Sequence, residues 1–193
     1  MEQLLFGIFS AFGLSASAGL NAYIPLFIIA VIAHFTNWFK LNPPYDALGN
    51  PWVVIILGVL IIIEFLADKV PAINHINDLI QTFVRPVAGA IVFAASAKIL
   101  TDISPVISLI CGLFIAGGVH AAKSLAIRPA VTATTGGAGN TPVSIVEDIV
   151  AAITSFLAVV LPVIIAGVVA LVGALLIWWW WKRRESRAEN SFS

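Results

Sequence analysis

Hydrophobic positions dominate the chain in long blocks, separated by short polar stretches. Six blocks are long enough to read as membrane spans: Leu4–Phe35, Trp52–Ala67, Pro86–Leu100, Ser104–Ile127, Ser144–Val160 and Leu161–Trp181. A helix needs roughly 20 apolar residues to cross a bilayer. The first block exceeds that length, and the last two abut at Pro162, where one kinked helix and a count of five is the competing assignment. Inside the first block the apolar run breaks at SASAGLNAYIP, Ser15 to Pro25, and then resumes. Lipid offers no partners to freed backbone groups, so irregular backbone at membrane depth must face protein or water. Broken helices of this kind point to binding sites in small transporters.

Between the second and third blocks, Ala72 to Val84 alternates at helical spacing. Ile73, Ile76, Ile80 and Phe83 share one face, and Asn74, Asn77, Asp78 and Gln81 the other. The pattern predicts a short amphipathic helix at the cytoplasmic surface, its polar face either solvated or turned inward as the wall of a vestibule. Composition agrees with the blocks. The chain is 60% hydrophobic and 10% charged, with a mean hydropathy of +1.03. These values describe an integral membrane protein, and the six blocks make it an all-α polytopic helical bundle in expectation.

The Ala-Ser-Ala at Ala16 imitates a signal-peptide cleavage site, but Met1-Glu2-Gln3 lacks the basic n-region of a secretory signal. An uncleaved first helix is the expectation. At the other end Trp178 to Trp181 precede Lys182-Arg183-Arg184. Tryptophans sit at the headgroup level and a basic flank marks the cytoplasmic side. With six spans both termini are cytoplasmic, and Lys69, Arg85 and Arg128 fall inside while Lys40 lies outside. Residues 1–184 then form one membrane domain with possible halves 1–100 and 104–181, and 185–193 a short polar tail. The expected compartment is the bacterial inner membrane.

Gly13–Ile28 aligns without a gap on Gly112–Ile127, matching Gly13/Gly112, Leu14/Leu113, Gly19/Gly118, Ala22/Ala121, Leu26/Leu125 and Ile28/Ile127. Asn21 falls opposite His120. Spans one and four run oppositely in the six-span arrangement, which predicts a 3+3 inverted repeat with both glycines at close helix contacts.

Glu64 follows an unbroken apolar run and lies one helical turn from Asp68. An ionisable group at that depth costs on the order of 2–4 kcal/mol unless paired or wet. Lys69, Arg85 and Lys123 are the candidate partners, as a structural tie or as part of an ion pathway. His120, Lys123 and Arg128 end the fourth block. The cations can snorkel, whereas His120 is either a packing residue or a proton carrier. Thr134 to Pro142 carries Gly136, Gly137 and Gly139 before Asn140. Such a loop either cradles an anion with Arg85 and Arg128 or makes a tight turn. Ser144 and Glu147 have capping-box spacing, while Asp148 has no such role. The single Cys111 excludes an internal disulfide and a multi-cysteine metal site. No metal or cofactor is expected, and no nucleic acid partner.

GLNAYIP at Gly19, ADKVPAINHINDLIQTFVRPVAGA at Ala67, and KSLAIRP with TGGAGNTPVSIVED between Lys123 and Asp148 resemble the small membrane proteins grouped as domain of unknown function 4126. The resemblance spans Gly13 to about Val150. It implies an intact polytopic domain and places Asn21, Asp68, Lys69, Asp78, Arg85, Arg128, Gly136, Gly137, Asn140, Glu147 and Asp148 in family motifs. It implies no activity.

Two functions compete. A transporter or channel for a small ion or polar solute would use Asn21 and His120 at the midplane and Tyr23, Glu64, Asp68, Lys123, Glu147 and Asp148 along the pathway, with a homodimer as the expected assembly. A non-transporting scaffold or lipid-headgroup binder would use the same residues structurally. A solvent-filled cavity at the midplane favours the first; a dry bundle with every charge paired favours the second. No H-E-x-x-H, G-x-S-x-G or multi-histidine pattern suggests an enzyme.

Overall fold

The computed structural model describes the backbone of residues 2–36, 41–68, 71–100 and 104–189. Side chains are described for 7–36, 41–68, 77–97 and 104–161, and for Leu175, Trp178, Trp181 and Lys182. Every regular element among them is helical: α1 Glu2–Leu20, α2 Tyr23–Phe35, a 3₁₀ turn Tyr45–Gly49, α3 Pro51–Ala67, α4 Pro71–Leu100, α5 Pro105–Ala122, a π turn Lys123–Ile127, α6 Arg128–Thr135 and α7 Asn140–Glu189. The chain forms two compact units, Met1–Val159 and Val160–Ser193.

Among the described residues, three segments are long and apolar enough to cross a membrane: Asn77–Ala97, Pro105–Thr135 and Asn140–Leu161. Gly7–Leu20, Tyr23–Phe35 and Pro51–Ala67 are shorter apolar helices. The first unit is inside-out relative to a protein folded in water. α3 exposes Trp52, Ile55, Ile56, Val59, Ile62, Ile63 and Leu66 and buries Glu64. Ser10, Ser15, Ser17, Asn21, Gln81, Arg85 and Lys123 are likewise buried. Apolar side chains outside and hydrogen-bonded polar groups inside are what a hydrocarbon solvent selects.

Small residues bring α1, α4 and α5 together. A Cβ on Gly19 would stand 2.6 Å from the Ala116 carbonyl oxygen, and one on Gly89 would strike Ala116. Ser15 Oγ donates to Gly112 O at 2.8 Å. Along α7, Ser17 Oγ donates to Ala151 O at 2.8 Å and Ser10 Oγ to Ala158 O at 2.5 Å.

These contacts fix the sense of the helices and correct the sequence reading. Ser15 meets Gly112 and Gly19 meets Ala116 and Val119, so α1 and α5 run parallel. Phe12 meets Phe93 and Ser15 lies beside Gly89, so α1 and α4 run antiparallel. An inverted repeat requires the opposite relation between the Gly13 and Gly112 segments, so that repeat is not the plan of the bundle. The first block is interrupted after Leu20, where the sequence placed a break, and resumes as α2 at Tyr23. Gly118, expected at a close contact, has nothing among the described residues within 4 Å of a built Cβ.

Three expected boundaries also shift. The amphipathic stretch and the third block form one helix, α4, which carries Pro86 inside it. Blocks five and six join in α7, which continues through Pro162 and over the first residues of the expected tail, to Glu189. In the second unit Lys182 Nζ sits 5.3 Å from the Trp178 ring centroid, with Trp178 and Trp181 exposed. Lys40 and Lys69, placed on opposite sides of the membrane by the sequence, lie outside the described residues.

Candidate functional site

The break after α1 creates two local problems, and the surrounding side chains answer both. α2 begins with free N–H groups. Asn21 Oδ1 accepts from the N–H of Tyr23 and of Ile24, each at 3.1 Å, and so caps the helix. Ile24 N–H would otherwise serve Leu20 O. Lys123 Nζ donates to that carbonyl instead, at 3.3 Å. Asn21 then uses its amide nitrogen to reach Asp148 Oδ1 at 2.9 Å. Tyr23 is half-buried and packs against the main apolar cluster.

Around this break the ends of α3 and α5, the start of α7 and one face of α4 converge. Arg85 Nη2 lies 2.9 Å from Glu64 Oε1. This is the pairing expected for Glu64, with Arg85 as the partner. Arg85 Nη1 stands 3.3 Å from His120 Nδ1, and His120 Nε2 stands 3.2 Å from Thr82 Oγ1. His120 is therefore buried against α4 and linked to Arg85. Asn21 is linked to Asp148, so the expected pair at equivalent positions serves two separate contacts.

Lys123 Nζ lies 2.6 Å from Glu147 Oε2. Arg128 Nη1 donates to Asp78 Oδ2 at 2.6 Å, and its Nη2 lies 3.5 Å from Asp68 Oδ2 and 3.6 Å from Glu147 Oε2. Both cations are buried, not snorkelled. The π turn, one residue wider than an α turn, lies between them and lets both heads face the network. Asp68 caps α3 and accepts from Ser144 Oγ at 2.6 Å and from Asn77 Nδ2 at 2.7 Å. Burial alone would raise its carboxyl. The donors Ser144 and Asn77 and the charges of Arg128 and Lys123 outweigh that and hold it below the usual aspartate range.

Two sequence assignments change here. Ser144 and Glu147 sit inside α7, which starts at Asn140, so Glu147 is an ion-pair partner rather than a cap. The glycine loop is a turn: Gly136 takes φ 62° as the left-handed C-cap of α6, and Gly137 follows at φ 91°. Its amides are spent locally. Ala138 N–H bonds Thr135 O, Gly139 N–H bonds Thr135 Oγ1, Asn140 N–H bonds Gly137 O, and Asn140 Nδ2 bonds Thr132 Oγ1. Arg85 and Arg128 reach carboxylates, so the loop and the arginines do not form one anion cradle.

Sequence reasoning left Asn77, Asp78 and Gln81 unassigned between solvent and an inward wall, and passed over Thr82. Asn77, Asp78 and Thr82 join the network through side-chain bonds, and Gln81 is buried on the same face. The signal was present in Leu79, Ile80, Phe83 and Val87, whose exposed apolar face turns the polar face of α4 inward. Among the described residues the network holds five carboxylates (Glu64, Asp68, Asp78, Glu147, Asp148) and three fixed cations (Arg85, Lys123, Arg128). Asp148 is the one acid among them with no ion pair.

The architecture is that of a helical bundle with an apolar exterior and a buried, charged interior at a helix break. A family model described as Domain of unknown function (DUF4126) matches residues 8–182, and the chain belongs to that family. No curated protein and no solved structure matches the chain.

Proposed function

We propose that the protein is an integral membrane transporter or channel for a small ion or polar solute, with Asp148 and Asn21 as its coupling station. One observation carries this reading: a buried amide holds the broken helix together and also binds the one carboxylate of the network without an ion pair. A carboxylate in that position exchanges a proton or a cation without breaking a salt bridge, whereas the other four are tied. The excess of acids over fixed cations favours cationic cargo. The expected setting is the bacterial inner membrane with the Lys182–Arg184 flank cytoplasmic, lipid as solvent and a second copy of the chain as partner. The reading assigns no catalytic residue.

The test is flux in vesicles of purified protein carrying an internal pH dye, with inward gradients of sodium, potassium or small organic cations. The wild type is expected to couple one gradient to proton movement, and Asp148→Asn to abolish it while keeping the fold. Equal flux in wild type, Asp148→Asn and empty vesicles would remove the transport reading. The second reading, a scaffold or lipid-headgroup binder, draws on the closure of the Glu64–Arg85 and Lys123–Glu147 pairs, and that outcome would favour it.

A further inference from the structure

A cavity of about 380 Å³ opens where the end of α1, the π turn and the first turns of α7 meet. Leu20, Ile127, Val143, Val146 and Val150 give it hydrocarbon walls, and Glu147 is the polar member of its lining. Small-molecule sites have this make-up: apolar walls and very few polar groups that orient the ligand. Glu147 is nine-tenths buried. Its Oε2 lies 2.6 Å from the Lys123 ammonium, and among the described residues its Oε1 has no hydrogen-bond partner.

The seat occupied by that ammonium has a second acceptor. Leu20 O, also from a lining residue, receives Lys123 Nζ at 3.3 Å because the break at Asn21 has taken away its helical donor. A carboxylate and the negative end of a helix thus converge on one group with several N–H donors. An alkali ion would find two protein oxygens and hydrocarbon, too few hard ligands. A quaternary ammonium would bring no N–H. A protonated primary amine on a short apolar body satisfies both the acceptors and the walls, and the lysine side chain is itself such a group on a tether. Arg128, 3.6 Å from Glu147 Oε2, keeps the carboxylate compensated when Lys123 moves aside.

We propose that this cavity is a binding site for a small apolar primary amine in its ammonium form, which takes the seat that Lys123 holds. The inference names a solute class for the transport reading and rests on it for its physiological role. The site itself is tested by occupancy, not by flux.

The probe is n-butylammonium, added to detergent-solubilised wild type, Lys123→Ala and Lys123→Ala/Glu147→Gln, with tetramethylammonium at equal ionic strength as the control and thermal unfolding as the readout. Butylammonium should raise the midpoint of Lys123→Ala saturably and that of the wild type only at higher concentration. Tetramethylammonium should leave both unchanged, and the double variant should respond to neither salt. Equal responses to the two salts, or a butylammonium response that survives Glu147→Gln, would overturn the proposal. Should Lys123→Ala not fold alone, butylammonium present throughout purification is expected to recover it, and failure to do so is equally fatal. Binding without flux would retire the transport reading and keep the site; flux without this binding would do the reverse.

Discussion

Arg85 and Glu64 face each other from α4 and α3 at 2.9 Å, each side chain 1% exposed. Neither charge has water to fall back on, so their removal is asymmetric. Glu64→Ala leaves a buried guanidinium next to His120 and is expected to cost about 3–5 kcal/mol, whereas replacing both members by Met should restore most of that loss. Glu64→Gln retains an acceptor and should fall between. Thermal unfolding in one detergent across the four proteins checks the order. A double variant no better than the worse single one would mean that the pair is not the unit that matters.

Asn21 does two jobs with two atoms, and substitutions separate them. Asn21→Asp keeps a capping oxygen for Tyr23 and Ile24 but sets a carboxylate against Asp148. Asn21→Ala loses the cap, at about 1 kcal/mol, and also the amide held by Asp148. Asn21→Asp is therefore expected to be destabilised at neutral pH and to recover on acidification, while Asn21→Ala stays low throughout. Unfolding midpoints measured against pH distinguish them.

Glycines at the helix contacts differ sharply in what they tolerate. A methyl on Gly89 collides with Ala116 and lies 2.9 Å from Gly112 O, both on the facing helix. Gly89→Ala should cost about 1–3 kcal/mol by overpacking. Gly118→Ala meets nothing and should be neutral or stabilising by up to about 1 kcal/mol, the helix propensity difference. Parallel unfolding measurements on the two variants decide the matter, and similar losses in both would contradict the packing described.

Asp68 links stability to acidity. Its carboxyl is held below its unfolded value, so the stabilisation is present above the ordinary aspartate range and is lost as pH falls through the lower folded value. Asp68→Asn should remove this contribution at neutral pH and flatten that part of the acid limb. Unfolding of the two proteins between neutral and strongly acidic pH should converge at the acid end. A constant gap would show that Asp68 stays ionised throughout or acts through shape alone.

What the sequence disclosed follows from what a linear pattern encodes. The break at Asn21 was legible because small residues, an amide and a proline interrupt an otherwise apolar run. The burial and pairing of Glu64 were legible because an acid within that environment needs a partner. The direction of α5 relative to α1 was not, since a parallel and an antiparallel contact use the same Gly and Ala spacing, and the six matched positions reflect that shared packing chemistry. The roles of Ser144 and Glu147 were hidden by a spacing that also suits a cap. Only the start of α7 at Asn140, a turn earlier, tells the two apart.

The π turn at Lys123–Ile127 carries one residue more than a regular turn would hold. An i→i+5 turn takes up its extra residue locally, so removing one residue from 124–127 would convert it to ordinary helix and leave the helix beyond it, with Arg128, facing nearly the same way. Lys123 and Arg128 would then stand one regular turn apart. The extra residue is therefore slack between the two cations, and chains of this family that lack it should still join their interior charges in the same way.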